Sequence, residues 1–212
     1  MVGERLAMAL KKTLPELVPE ERALVDRIGF DELIMRRIKS HNIPHFDQLT
    51  VHHVENTHSL GVPTSGFTYD TFQRRAELHV RDEREPLSRL GYRIFLSKLA
   101  SNTQQAQVAV IRGNDQYDIL RVMRTEDVNG DKTNQDIITH LQEWEQAHPF
   151  NIWGANHDWV LAKFRKFPTN MLAFAREVIA FAPDVYGQAD WENEEQFAQA
   201  MRRERGFYLW WD

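Results

Sequence analysis

The sequence predicts an α+β fold, with a mixed or antiparallel sheet and helices packed on it. Three observations carry that expectation. Segments such as Tyr92 to Lys98 and Ala106 to Arg112 alternate or run apolar as strands do, and they sit among segments such as Ile137, Leu141 and Trp144, where apolar residues recur at helical spacing. Gly and Pro punctuate the junctions at Gly113, Pro149, Gly154, Pro183 and Gly206. The chain closes on Gly206-Phe207-Tyr208-Leu209-Trp210-Trp211-Asp212, in which four of seven residues are aromatic. Left loose in water, such a tail would expose a large apolar patch, so it is expected as a buried strand that closes the core.

Taken in order, Leu6, Leu10, Leu14 and Leu17 fall at roughly helical spacing, with Pro15 ending that helix, and a second helix runs from Pro19 to about Ile28. After Gly29, Phe30, Leu33, Ile34 and Ile38 make a further amphipathic face backed by Arg36, Arg37 and Lys39. From Ser40 to Gly66 periodicity disappears, and His41, His45, His52, His53 and His58 crowd into what reads as a long loop. That loop is the expected boundary between a helical N-terminal segment, residues 1–65, and an α+β domain, residues 66–212.

Tyr69, Phe72, Ala76, Val80, Glu83 and Leu87 continue at helical spacing, with Pro86 near the helix end. Tyr92 to Lys98, Ala106 to Arg112 and Tyr117 to Val122 read as three strands, the last two joined by the turn Gly113-Asn114-Asp115. Thr133 and Asp136 resemble a capping box for a helix bearing Ile137, Leu141, Trp144 and His148, which Pro149 stops. Phe150 to Trp153 and Asp158 to Phe164 form a hairpin around Gly154-Ala155-Asn156. Pro168 opens a helix that is apolar nearly all round from Met171 to Phe181, and Pro183 ends it. A short helix around Phe197 and Met201 leads to the terminal strand, with Phe207, Leu209 and Trp211 on one face and Tyr208, Trp210 and Asp212 on the other. From Tyr117 onward the order matches the split βαβ pattern of ferredoxin-like folds. One conflict stands: the first strand of that pattern has neighbours on both sides, so it cannot also pair in a tight hairpin with Ala106 to Arg112.

Composition narrows the function classes. The 212 residues are 42% hydrophobic and 27% charged, ordinary for a folded globular chain. The net charge is −5, and residues 101–212 carry 11 Lys and Arg against 17 Asp and Glu. All six Trp lie in that acidic half, the reverse of what a single-strand nucleic-acid binder needs, so nucleic acid is not expected as a partner. There are no cysteines, which removes disulfides, thiol nucleophiles and Cys-ligated metal sites together. No apolar run approaches a membrane span, and early charges argue against a signal peptide, so a cytoplasmic location without membrane contact is expected.

Gly154-Ala155-Asn156-His157-Asp158-Trp159-Val160, Phe181-Ala182-Pro183-Asp184-Val185-Tyr186-Gly187-Gln188 and Leu209-Trp210-Trp211-Asp212 together resemble a bacterial family, the domain of unknown function 4253 family. The resemblance covers the second half of the chain, from Leu90-Gly91-Tyr92 to the end, and the terminal Leu-Trp-Trp-Asp is its most specific part. Members often carry a Cys before the Pro-Asp pair, where this chain has Ala182, and a Gly-rich turn after the Gln, where it has Ala189-Asp190-Trp191. The family brings no established activity, so the resemblance implies a domain and leaves its chemistry open.

The candidate binding residues are Asp158, Trp159, Asp184, Tyr186, Gln188, Trp210 and Asp212, three acids, three aromatics and one amide gathered in the three matching segments. As acids alone, Asp158, Asp184 and Asp212 read more simply as a strand start, a turn former and a terminus than as a catalytic pair. His52, His53 and His58 are the candidate metal ligands, although His-Glu-x-x-His is missing and adjacent histidines on an extended segment point opposite ways. Asp127-Val128-Asn129-Gly130-Asp131 opens like a calcium loop, yet the Gly sits at the fourth position and Ile138 stands where a bidentate Glu is needed. No nucleophile elbow, Walker loop or dinucleotide fingerprint appears. The leading expectation is a non-enzymatic module that binds another protein without a cofactor, an immunity protein facing a basic toxin being one concrete form. Two alternatives stand beside it: a metal-dependent hydrolase using the His41–His58 segment, and a small-ligand sensor with a pocket under the terminal strand.

Overall fold

The computed structural model describes residues 14–55, 58–101, 104–187 and 191–211, with side chains outside the description over 52–60. Most of the helix expected between Leu6 and Leu17 lies outside these residues, and residues 14–18 form no helix. The first described helix, α1 (Pro19–Ile28), has Pro at its first position and ends at Gly29 with φ +68°. Helix α2 (Glu32–Lys39) follows, its cap Asp31 accepting the Leu33 N–H at 2.9 Å.

The long histidine loop is a correction. Residues 47–72 form a hairpin of β1 (Asp47–Glu55) and β2 (His58–Phe72), antiparallel from Asp47↔Thr68 to Glu55↔His58. The expected boundary at residues 65 and 66 therefore falls inside a strand. Tyr69 and Phe72 are likewise in β2, because Gly66 to Phe72 pair with Gln105 to Ile111 across the sheet; helix α3 (Gln73–Ser88) begins only after them. Helical spacing was satisfied, but ladder pairing overrode it.

Strands β3 (Tyr92–Lys98) and β4 (Gln105–Arg112) fall where the pattern places them. The third expected strand does not. Tyr117 to Val122 is covered by helix α4 (Asp118–Met123), whose entry is held by two carboxylates: Asp115 accepts the Tyr117 N–H at 2.6 Å and Asp118 accepts the Asn114 N–H at 2.7 Å. Short apolar runs do not distinguish strand from helix, and local caps decided this one. With a helix at Tyr117, the strand that would have opened a split βαβ unit is absent from that place.

Helix α5 (Asn134–Ala147) has the expected reciprocal cap, Thr133 Oγ1 accepting from the Asp136 N–H at 3.3 Å and the Thr133 N–H donating to Asp136 Oδ2 at 2.9 Å. The hairpin β5 (Phe150–Ala155) and β6 (Trp159–Phe164) follows, then α6 (Met171–Phe181), the single turn α7 (Asp184–Gly187), α8 (Glu194–Arg203) and β7 (Gly206–Trp210).

All seven strands form one mixed sheet, ordered β1-β2-β4-β3-β5-β6-β7, with β3 and β5 parallel and the other pairs antiparallel. Period-2 alternation gives each face its own core. Phe95, Ile152, Val160, Ala162, Phe207, Leu209 and Trp211 face α4, α5, α6 and α8. Ile94, Leu96, Val108, Val110 and Trp159 face the other way, joined by α1, α2 and α3. No helix among the described residues is long and apolar enough to cross a membrane.

Candidate functional site

The site begins with the pairing of β6 and β7. Their register sets Trp159 opposite Trp210 and Leu161 opposite Tyr208, so all four side chains share one sheet face. Trp153 of β5 belongs to the same half-buried set, packed at the margin of the second core. The opposite face of the same strands lies under α5, α6 and α8, so the aromatic alternation is divided between a closed core and an open margin.

Asp158 ties this face together. Its backbone oxygen accepts the Trp211 N–H at 3.0 Å, and its carboxylate Oδ2 accepts the Trp210 indole N–H at 3.4 Å. His157 Nδ1 lies 3.3 Å from Asp158 Oδ1 but is not aligned for a hydrogen bond. The Tyr208 phenol is pushed well above its ordinary range, first by burial and then by the Asp158 charge, so it stays a neutral hydroxyl. The rings of Trp159 and Tyr208 lie 6.0 Å apart at 32°. Flat apolar area with one carboxylate at its edge is suited to an apolar side chain flanked by a cation.

A groove of about 410 Å³ adjoins this face, with Leu99, Ala100, Leu161, Trp191, Met201 and Tyr208 in its lining. The indole nitrogen of Trp191 is buried beside it without a hydrogen-bond partner. Gly206 forms part of the floor, because the strand crosses so close to β6 that a Cβ there would stand 2.0 Å from the Ala162 carbonyl oxygen.

Of the residues expected from the sequence, Asp158, Trp159 and Trp210 are brought together. Asp184 and Tyr186 are not; they lie in α7, where Tyr186 packs edge-on to Phe197 at 6.1 Å within the other core. Gln188 and Asp212 lie outside the described residues. His52, His53 and His58 sit on the β1–β2 hairpin at the far edge of the sheet from β7, with side chains outside the description. Among the described residues no three His, Asp or Glu side chains gather as a metal centre would need. The calcium-like run is a turn: Asp127 accepts the Asn129 N–H at 3.0 Å and pairs with Lys132 Nζ at 3.1 Å.

Two polar constellations were missed. In the second core, His41 Nε2 lies 2.8 Å from Glu83 Oε1, Arg37 pairs with the same carboxylate, and Tyr69 Oη meets His79 Nδ1 at 3.1 Å. The spacing of His79 and Glu83 on one helix was readable as an i, i+4 pair, but nothing pointed to Tyr69 or His41 as their partners. The other is a cavity of about 300 Å³ ringed by Arg84, Arg93 and Arg165, contributed by three segments without a shared motif.

Residues 107–212, half of the chain, match the family described as Domain of unknown function (DUF4253). No curated protein matches, and no solved structure matches.

Proposed function

We propose that this chain, which belongs to the DUF4253 family, is a protein-binding module that receives its partner on the β5–β6–β7 face. The observation that carries this reading is the set Trp153, Leu161, Tyr208 and Trp210, half-buried against one core, with the Asp158 carboxylate at its edge and an apolar groove alongside. Aromatic residues of this kind anchor interfaces because they bury much area at little rotamer cost.

The partner is a protein that presents a basic residue beside an apolar one. Two charges support that chemistry: Asp158 itself, and the surplus of 17 acidic over 11 basic residues in residues 101–212. An immunity-type protein that neutralises a basic toxin in the cytoplasm is the concrete form we favour. A neighbouring gene for a secreted toxin would strengthen it.

The test is binding of a purified candidate partner followed by calorimetry and hydrogen exchange. The reading expects new protection at 159–163 and 206–210, and a loss of at least tenfold in affinity for Trp210→Ala and for Asp158→Asn, with the melting temperature lowered by no more than about 4 °C. Protection confined to other strands, or full affinity in both variants, overturns it. A second reading, a small-ligand sensor, draws on the groove of about 410 Å³ beside Tyr208; it expects a metabolite to raise the melting temperature and Met201→Trp, which fills the groove, to abolish that rise. The metal-dependent hydrolase rests on His52, His53 and His58, and zinc titration of untagged protein tests it.

A further inference from the structure

The cavity of about 300 Å³ lies where β3 and β5 begin, and Arg84, Glu85, Arg93, Asp115, Glu145 and Arg165 all contribute to its lining. Its charges pair off unequally. Glu85 is in contact with Arg89 at 3.0 Å, Asp115 with Arg121 at 3.2 Å, and Glu145 with Arg165 at 2.7 Å while also accepting the Tyr117 hydroxyl at 2.8 Å. Each carboxylate of the lining thus has its own cation. Arg84 and Arg93 have no carboxylate in ion-pair contact among the described residues. Arg84 donates to the Ile152 carbonyl at 2.7 Å and to Gln116 Oε1 at 3.4 Å; Arg93 donates to the backbone carbonyls of Asp115 at 2.9 Å, Tyr92 at 3.3 Å and Asn114.

Neutral acceptors orient a guanidinium without cancelling its charge. Each has five N–H groups, so both Arg84 and Arg93 keep donors beyond those spent on the protein. The positive charge is felt locally: burial first, then the positive charges of Arg93 and Arg165, lower the Arg84 pKa to about 10 against the opposing pull of Glu145 and Glu85. Leaving two half-buried cations uncompensated around a cavity is costly unless an anion completes the set.

We infer that this cavity is a binding site for a small oxyanion, the phosphate or carboxylate group of a metabolite, held between Arg84 and Arg93. A planar guanidinium offers paired donors that match either group, and the hydroxyl of Ser88 and carboxamide of Asn151 add neutral polar groups to the lining. The volume is at the lower end for small-ligand sites. This site is separate from the β5–β6–β7 face, and neither reading depends on the other.

The experiment is calorimetric titration of the full chain, at low ionic strength, with inorganic phosphate and separately with malonate, each against sodium chloride of matched ionic strength. Binding by one or both probes, weakened at least tenfold in Arg93→Gln and largely restored in Arg93→Lys, is the expected result. Phosphate alone assigns phosphate esters; malonate alone assigns carboxylates. Should Arg93→Gln fold poorly, amide shifts in the unaltered chain decide, because the site requires them at Gln116 and Ile152. No binding beyond chloride, shifts confined elsewhere, or equal affinity in a folded Arg93→Gln variant overturns the inference.

Discussion

Tyr69 and His79 are hydrogen-bonded to one another inside the second core, Oη to Nδ1 at 3.1 Å, and both are held neutral. Burial raises the Tyr69 pKa far above its ordinary value, with the Glu83 charge adding to it. Burial lowers His79 to about 4, assisted by His41 and Arg75 and opposed by Glu83 and Asp82. The unfolded chain, with an ordinary histidine near 6.5, takes up that proton first. Stability is therefore fully present above about pH 6.5 and is lost as pH falls toward 4, by roughly 3 kcal/mol from this group. Urea unfolding between pH 4 and 7 measures the slope, and His79→Gln should flatten it; an unchanged slope in that variant assigns it to other groups.

The two terminal indoles should respond in opposite ways. Trp211 is 1% exposed, packs edge-on to Phe181 and sends its N–H toward the Phe181 carbonyl at 3.4 Å. Trp211→Ala is expected to cost about 4 kcal/mol. Trp210 faces the half-open side, so Trp210→Ala should cost about 1 kcal/mol or less. Equal losses of stability, read by chemical denaturation, would show that the faces are not divided as described.

Gly206→Ala should destabilise by about 3 kcal/mol, because the added carbon meets backbone, the Ala162 oxygen, and not a side chain that can turn away. Gly29 provides the control. It has nothing within 4 Å of an added Cβ and is constrained by its φ of +68°, which Asn tolerates, so Gly29→Asn is expected to cost under about 1 kcal/mol. Thermal melts of the two variants test the contrast.

Removing the side-chain support at the start of β5 should loosen that strand locally. β3 and β5 meet in register at Leu96↔Gly154, and toward their starts Ile152 turns to side chains instead: its N–H donates to Gln116 Oε1 at 2.9 Å and its carbonyl accepts from Arg84. Gln116→Leu is expected to cost about 1–3 kcal/mol for the unmet N–H. Amide exchange at Ile152 should accelerate more than at Val160, and uniform acceleration would instead report a global loss.

The legible parts were those whose local signal and tertiary role agree. Thr133 with Asp136 announced a cap, and the cap is there. Tyr92 to Lys98 reads as a strand because its apolar run matches a sheet buried on both faces, and Phe150 to Trp153 because its apolar residues fit a strand with one face buried and the other half-buried. The β1–β2 hairpin was not legible, since histidines, prolines and glycines interrupt any regular apolar period between Ser40 and Gly66, and α4 was not, since six residues of mixed apolar character fit either period.

Within the candidate site, Asp158, Trp159 and Trp210 could be named in advance because they are unusual residue types clustered at recognisable breaks. Their convergence could not, because it depends on the register Trp159↔Trp210. The arginine cavity left no trace along the chain; Arg84 and Arg93 become unusual only through which carboxylates are elsewhere engaged.

By itself the sequence determined the fold class, the burial of the terminal strand and the absence of thiol chemistry, all of which follow from residue type and period. The tertiary structure decided the strand order, the continuity of the sheet through residues 65 and 66, and which acids and aromatics share a face. Composition and periodicity act within a few residues of chain, whereas pairing partners, counter-charges and cavities are set by contacts between residues far apart, whose free energies exist only once the sheet has formed.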